Sequence, residues 1–125
     1  MRSFDTIITA VSDEARELVS EGVLILFAEG APPELAEVSV LHRVQQEPTA
    51  APPAVGATLS VAGITSRITA IGEYAWKKVG EMGHVVINYN GADAAPRPGE
   101  ISAESVDLKA LAGALRPGAE IWVET

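Results

Sequence analysis

The chain has 125 residues, of which 47% are hydrophobic and 21% charged, with a net charge of −8, two histidines and no cysteine. This composition excludes disorder, and the missing cysteine excludes disulfides, thiolate catalysis, iron–sulfur clusters and cysteine-based zinc sites. The acidic balance argues against nucleic-acid binding, which needs cations to neutralise phosphates. The longest apolar run, Val23–Ala28, is too short to cross a membrane, and the N-terminus lacks a signal-peptide pattern. We therefore expect a cytoplasmic protein.

Short segments rich in Val, Ile, Leu and Thr predict a chain built mostly of strands. In chain order they are Thr6–Val11, Gly22–Phe27, Val38–Val44, Thr58–Val61, Ser66–Ile71, His84–Tyr89, Glu100–Ala103 and Glu120–Val123. A short helix is predicted between the first two strands of each half, the earlier one capped by Asp13. The Pro/Ala-rich stretches Glu47–Gly56 and Ala92–Gly99 are predicted to be loops. This pattern favours an all-β, barrel-like fold, with a β-sandwich as the alternative.

An internal repeat of about sixty residues runs through the chain and indicates pseudo-symmetry. The matching pairs are Ile8–Val11 with Ile68–Ile71, Gly22–Leu26 with Gly83–Ile87, and Gly56–Val61 with Gly118–Val123. The repeats are approximately residues 1–63 and 64–125. Because a half of this size buries little surface alone, we expect both to share one core in a single domain, residues 1–125.

His42 is the first candidate for chemistry, because histidine is scarce here and its neutral ring can act as base, ligand or nucleophile. In a strand, His42 shares a face with Val38, Val40 and Val44. Such an apolar wall lowers the pKa of an imidazole. Taken alone, these residues favour a structural histidine over a functional one.

His84 begins a predicted strand, where a histidine with a purely structural role is common. In a pseudo-symmetric barrel the two histidines could meet. They lack the HxH, HxxxH or HExxH spacing that starts a metal site, so we predict no metal. Phosphate-binding glycine motifs are also missing.

An ordered set of segments then points to a family. The set comprises Leu26–Glu37 followed by Val40–His42, then Ile68–Gly72, Glu81–Val85 and Arg116–Ile121. It resembles the glucitol/sorbitol-specific IIA component of the bacterial phosphoenolpyruvate-dependent sugar phosphotransferase system (PTS). The likeness runs over nearly the whole chain.

The resemblance implies an all-β barrel that carries a phosphoryl group. In this family the histidine at the position of His42 accepts phosphate from the phosphohistidine of HPr and passes it to the IIB component. From there it reaches the hexitol that enters through the IIC channel. Family members can carry a second histidine where this chain has Val44. His84 matches another family histidine and is therefore the expected phosphoryl-stabilising residue, and no cofactor is implied.

Two other classes of function stay open at this point. One is a non-catalytic ligand-binding or regulatory barrel on the same scaffold, which a fully buried His42 would favour. The other is a structural or assembly module, which would show hydrophobic surface on its strands. The sequence also leaves a homodimer open.

Overall fold

The computed structural model of the protein describes residues 2–125. Within them, strands and short helices alternate along the chain. In order they are β1 (Arg2–Val11), α1 (Asp13–Ser20), β2 (Val23–Ala28), α2 (Pro33–Ala36), β3 (Val40–Gln46), β4 (Thr58–Val61), β5 (Ile64–Ile71), α3 (Ala75–Met82), β6 (Val85–Asn88), β7 (Glu100–Ala103), α4 (Leu108–Ala114) and β8 (Glu120–Glu124).

The strands form one closed barrel in the order β1-β3-β2-β6-β7-β5-β4-β8. Two neighbouring pairs are parallel, β2 with β3 and β6 with β7, and the others are antiparallel. Closure gives every strand a partner on both sides and so removes unpaired sheet edges. The all-β barrel prediction is confirmed, and the sandwich alternative is set aside.

The strand order has two-fold symmetry. If β1–β4 are exchanged with β5–β8, one for one, the cyclic order of the barrel is unchanged. The β1–β3 ladder has an irregularity between Ile8 and Ala10, and the β5–β7 ladder has one between Ile68 and Ala70. This topology agrees with the predicted repeat. The equivalence of residues 1–63 and 64–125, and their union in one domain, stay predictions.

Alternating side chains of the strands fill the barrel, as β3 illustrates. Val40 and His42 are buried, Leu41 is half-buried and Arg43 is exposed. His42 thus shares the buried face of β3 with Val40, in line with the predicted alternation. Outside the barrel, α1 and α4 pack together, and the Arg16 guanidinium donates to the carbonyl oxygens of Ala112 and Leu115 at the end of α4.

The helices account for most differences from the predicted elements. Ser12, not Asp13, caps α1, because its Oγ accepts from the Ala15 backbone N–H at 3.0 Å. The single-turn helix α2, which precedes β3, and the helix α4 are not among the predicted elements. The Asp107 carboxylate caps α4, but seven residues carry too little periodicity to be recognised.

Residues 47–56 and 92–99 contain no helix or strand, which confirms the two predicted loops. Among residues 2–125 the longest helices have eight residues, and none is long and apolar enough to span a bilayer.

Candidate functional site

The side chain of His42 lies inside the barrel and is 1% exposed. Both ring nitrogens have partners: Nδ1 lies 2.6 Å from Thr6 Oγ1 on β1, and Nε2 lies 2.6 Å from the Gly83 carbonyl oxygen. The Phe4 ring meets the imidazole edge-on, with centroids 6.1 Å apart. His42 is thus fixed from three sides in an apolar setting.

These two partners define the tautomer of His42. A carbonyl oxygen can only accept, so Nε2 carries the proton and donates it to Gly83. In the neutral ring the lone pair of Nδ1 then accepts from the Thr6 hydroxyl. Burial lowers the pKa of His42, opposed by the Gly83 hydrogen bond and the charge of Glu29, which favours this neutral ring. Neither nitrogen keeps a free lone pair.

Gly83 connects the two histidines. It ends α3 with φ +61°, where its N–H bonds to the Val79 carbonyl and the N–H of His84 bonds to the Lys78 carbonyl. The bond from the Gly83 N–H to the Val79 carbonyl is the hydrogen bond of the αL C-cap, whose left-handed residue is usually glycine. A Cβ at position 83 would lie 3.0 Å from Ala28 Cβ and 3.1 Å from Nε2 of His42. The turn is therefore packed directly against the buried imidazole.

The ring of His84 lies in different surroundings. Its Nδ1 is 2.9 Å from the Leu26 carbonyl oxygen of β2, and its face packs on Phe27 with ring centroids 4.9 Å apart. Because Leu26 offers an acceptor, Nδ1 carries the proton and the Nε2 lone pair is free in the neutral ring. Nε2 makes no hydrogen bond within residues 2–125 and is not among their buried unpartnered atoms. This nitrogen is open to solvent.

His84 lines an open cleft of about 360 Å³, which also has two cationic side chains, Lys78 and Arg97. Arg97 Nη1 lies 3.1 Å from Oε2 of Glu100. The other carboxylate oxygen of Glu100, Oε1, accepts a hydrogen bond from the Asn88 side chain. Lys78 forms no ion pair within residues 2–125. Its Nζ lies over Gly99, where an added Cβ would approach it to 2.9 Å. A protein of net charge −8 therefore has a local excess of positive charge beside His84.

The structure brings the two predicted site residues together through Gly83 but gives them unlike surroundings. The assignment of His42 as acceptor and His84 as stabiliser stays a prediction. The sequence analysis missed Thr6, Lys78 and Arg97. Thr6 is a polar residue in the inward row of β1, which was a usable signal, whereas Arg97 stands in an irregular loop without periodicity. No three acidic or histidine side chains among residues 2–125 are grouped to hold a metal ion.

Comparisons with known proteins agree with this architecture. Residues 3–121 match the family model described as the PTS system glucitol/sorbitol-specific IIA component. The glucitol/sorbitol-specific EIIA components of Shigella flexneri and Escherichia coli K12 are each 32% identical over 98 residues, which is 78% of this chain and 78% of theirs. The crystal structure of a PTS IIA component from Enterococcus faecalis V583 has the same fold. It shows a TM-score of 0.73 and 19% identity, covering 97% of this chain and 99% of that one. The chain belongs to the family of glucitol/sorbitol-specific IIA components of the phosphotransferase system.

Proposed function

We propose that this protein is a phosphoryl carrier in glucitol/sorbitol uptake. It accepts a phosphoryl group from the phosphohistidine of HPr on one of its own histidines. It then passes the group to a cysteine of the IIB component, and the sugar entering through IIC receives it last. Family membership supports this proposal, and the observation that carries it is the pair of histidines connected through Gly83, beside a cleft with two cationic side chains.

The chemistry suits a site of this kind. Transfer from a phosphohistidine to a second histidine is nearly balanced in energy, so the carrier has to supply in-line positioning and neutralise charge on the phosphoryl oxygens. Neither task needs a metal or nucleotide at the carrier. Lys78 and Arg97 supply the positive charge beside His84.

The partners and the setting follow from the same proposal. We place the protein in the cytoplasm, where HPr and the cytoplasmic face of the IIB and IIC components are within reach. The net charge of −8 favours partners that dock through basic or apolar surface, and it disfavours nucleic acid. A homodimer stays an expectation from the repeated sequence.

The burial of His42 favours the alternative of a non-catalytic barrel, because a buried ring cannot meet HPr. The carrier function is favoured instead by His84, which follows Gly83 directly and lines a cleft with two cationic side chains. The assembly-module alternative called for hydrophobic surface on strands. Within residues 2–125 the exposed large hydrophobic side chains lie instead on helices and loops: Leu35, Val55, Tyr74 and Met82.

The test is phosphorylation with phosphoenolpyruvate, enzyme I and HPr from the same organism, followed by addition of IIB. We expect about one acid-labile, base-stable phosphate per chain, which IIB then removes. If HPr becomes phosphorylated but this protein takes up no phosphate, the carrier function is refuted and the non-catalytic barrel is favoured.

A further inference from the structure

We propose that Thr6 is a positioning residue for phosphoryl transfer at His42. Its hydroxyl holds Nδ1 of the ring before and after transfer and leaves Nε2 as the nitrogen that meets phosphorus. This inference rests on the proposed carrier function, with His42 as the acceptor expected from the sequence, and adds to it a role for a residue of β1. It is drawn from the two hydrogen bonds of the buried ring and from what lies behind each of them.

The two nitrogens of His42 face different parts of the molecule. Nδ1 faces Thr6, which is 0% exposed and belongs to the inward row of β1, so the core of the barrel lies behind this nitrogen. Nε2 faces the carbonyl of Gly83, in the turn that ends α3, and the preceding residue, Met82, is 42% exposed. A phosphoryl group can therefore reach Nε2 when this turn moves aside, whereas Nδ1 is closed off by the core.

A hydroxyl group suits Nδ1 because it can both donate and accept a hydrogen bond. In the resting tautomer Nε2 carries the proton, and the Thr6 hydroxyl donates to the lone pair of Nδ1 at 2.6 Å. When Nε2 attacks phosphorus, Nδ1 has to carry the proton instead. The same hydroxyl then accepts from Nδ1–H after rotating about its C–O bond. A valine at this position would leave Nδ1 buried and unpartnered in both tautomers, which is costly.

Phosphoryl transfer to Nε2 begins with this change of tautomer. The proton on Nε2 leaves to water as the turn opens, and a proton from water binds Nδ1, so the charge of the ring is unchanged. The Nε2 lone pair then forms the new N–P bond, while the N–P bond of the donor phosphohistidine breaks and its electron pair returns to the donor ring. When a thiolate of IIB takes the phosphoryl group, the electron pair of this N–P bond returns to Nε2.

Thr6 keeps the ring oriented during these steps. The Gly83 carbonyl has to leave Nε2 once phosphate is bound, because Nε2 then has no proton to donate. Of the two hydrogen bonds that hold the ring, the one to Thr6 is then left. Thr6 is itself fixed, since its strand pairs on both sides, with Val44 of β3 and with Ile121 of β8. In-line attack depends on such fixed orientation.

Ser66 on β5 provides a matched control. Thr6 lies two residues before the position that pairs with His42 in the β1–β3 ladder. Ser66 lies two residues before the position that pairs with Ala103 in the β5–β7 ladder. Its hydroxyl is buried like that of Thr6 but has no hydrogen-bond partner within residues 2–125. Ser66→Ala therefore removes a hydroxyl from the same kind of inward row, at a place without an imidazole.

The test is single-turnover phosphorylation at varied concentrations of phospho-HPr, with cooperative unfolding checked for each variant. We expect Thr6→Val to lower the maximal rate about 10- to 100-fold. Its half-saturating concentration of phospho-HPr should be unchanged, because a buried hydroxyl does not touch the partner. Thr6→Ser, which keeps the hydroxyl, and Ser66→Ala should both keep nearly the normal rate. A normal rate in Thr6→Val, a change in half-saturation alone, or equal slowing in Thr6→Ser or Ser66→Ala overturns the inference and leaves the carrier function intact.

The unmodified protein gives a second test that does not depend on how the variants fold. Trypsin cleaves after Arg16 and Arg43, so one peptide, residues 17–43, contains His42 without His84. Digestion at mildly alkaline pH preserves phosphohistidine. We expect phosphate on this peptide, with the phosphorus NMR signal of the Nε2 isomer. Phosphate on Nδ1, or on the peptide that contains His84, overturns the inference but not the carrier function. No phosphate on the protein, with HPr phosphorylated, refutes the carrier function itself.

Discussion

Replacing Gly83 with alanine tests the contact between the α3 turn and the buried imidazole. A non-glycine residue at φ +61° pays about 1–2 kcal/mol for the left-handed conformation. The added methyl group would lie 3.0 Å from Ala28 Cβ and 3.1 Å from His42. Overpacking of this kind costs a further ~1–3 kcal/mol. We therefore expect Gly83→Ala to lower the free energy of unfolding by about 2–5 kcal/mol.

Gly91 provides the matched control for this substitution. Its φ is +66°, nearly the same as at Gly83, but a Cβ there would meet nothing within 4 Å. Gly91→Ala should therefore show the conformational cost alone, about 1–2 kcal/mol. The difference between the two variants isolates the packing of the turn against His42.

Thermal and urea unfolding followed by circular dichroism measure this difference. With a shift of about 4 °C per kcal/mol for a domain of this size, Gly83→Ala should melt about 4–12 °C below Gly91→Ala. Equal melting temperatures would refute the close packing of Gly83 on His42.

Three further predictions concern the charges and hydrogen bonds of the site. Lys78→Gln should slow phosphorylation about tenfold, because it removes a cation from the cleft. The control is Lys77→Gln, at the exposed neighbouring position, which should leave the rate unchanged. Equal rates in the two variants would contradict the role of Lys78. Because the pKa of His42 is lowered from 6.5, the unfolded chain binds more protons, so stability should fall as pH drops below about 6.5. Urea unfolding across that pH range should show a weaker fall in the stability of His42→Gln than in that of the unmodified protein. The same pH profile in both proteins would refute the contribution of His42. Thr6→Val should cost about 1–3 kcal/mol by leaving Nδ1 of His42 without its donor, with Thr6→Ser, which keeps the hydroxyl, as the comparison in the same unfolding assay.

Most of the barrel could be predicted from the sequence because its strands carry strong local signals. Thr58–Val61 and Glu100–Ala103 were predicted with the observed bounds, and both combine β-branched or small side chains with adjacent turn glycines. The length of β1 was underestimated, because three of its first four residues, Arg2, Ser3 and Asp5, are polar, and this segment is held in place by pairing with β8. That pairing joins the two ends of the chain, which no local pattern reveals.

The site could be predicted in its residues but not in its geometry. Alternation along β3 correctly placed His42 on the same face as Val40, but only the closed barrel shows that this face is buried. Its partners come from β1 and from the turn after α3, at separations of 36 and 41 residues, so pairing across the barrel decides them. The same holds for Arg97, which reaches the cleft from a loop.

The carboxyl end of β2 contacts the surroundings of both histidines, and its pairing explains why the two rings lie in different environments. β2 pairs in parallel with β3, setting Ala28 beside His42, and antiparallel with β6, setting Leu26 beside Val85. Each imidazole donates one N–H to a backbone carbonyl oxygen: His42 donates to Gly83, and His84 donates to Leu26. The remaining nitrogen differs between the two rings. In His42, Nδ1 lies against the Thr6 hydroxyl inside the barrel, whereas His84 lines a cleft with two cationic side chains, so one strand end positions two imidazoles in unlike surroundings.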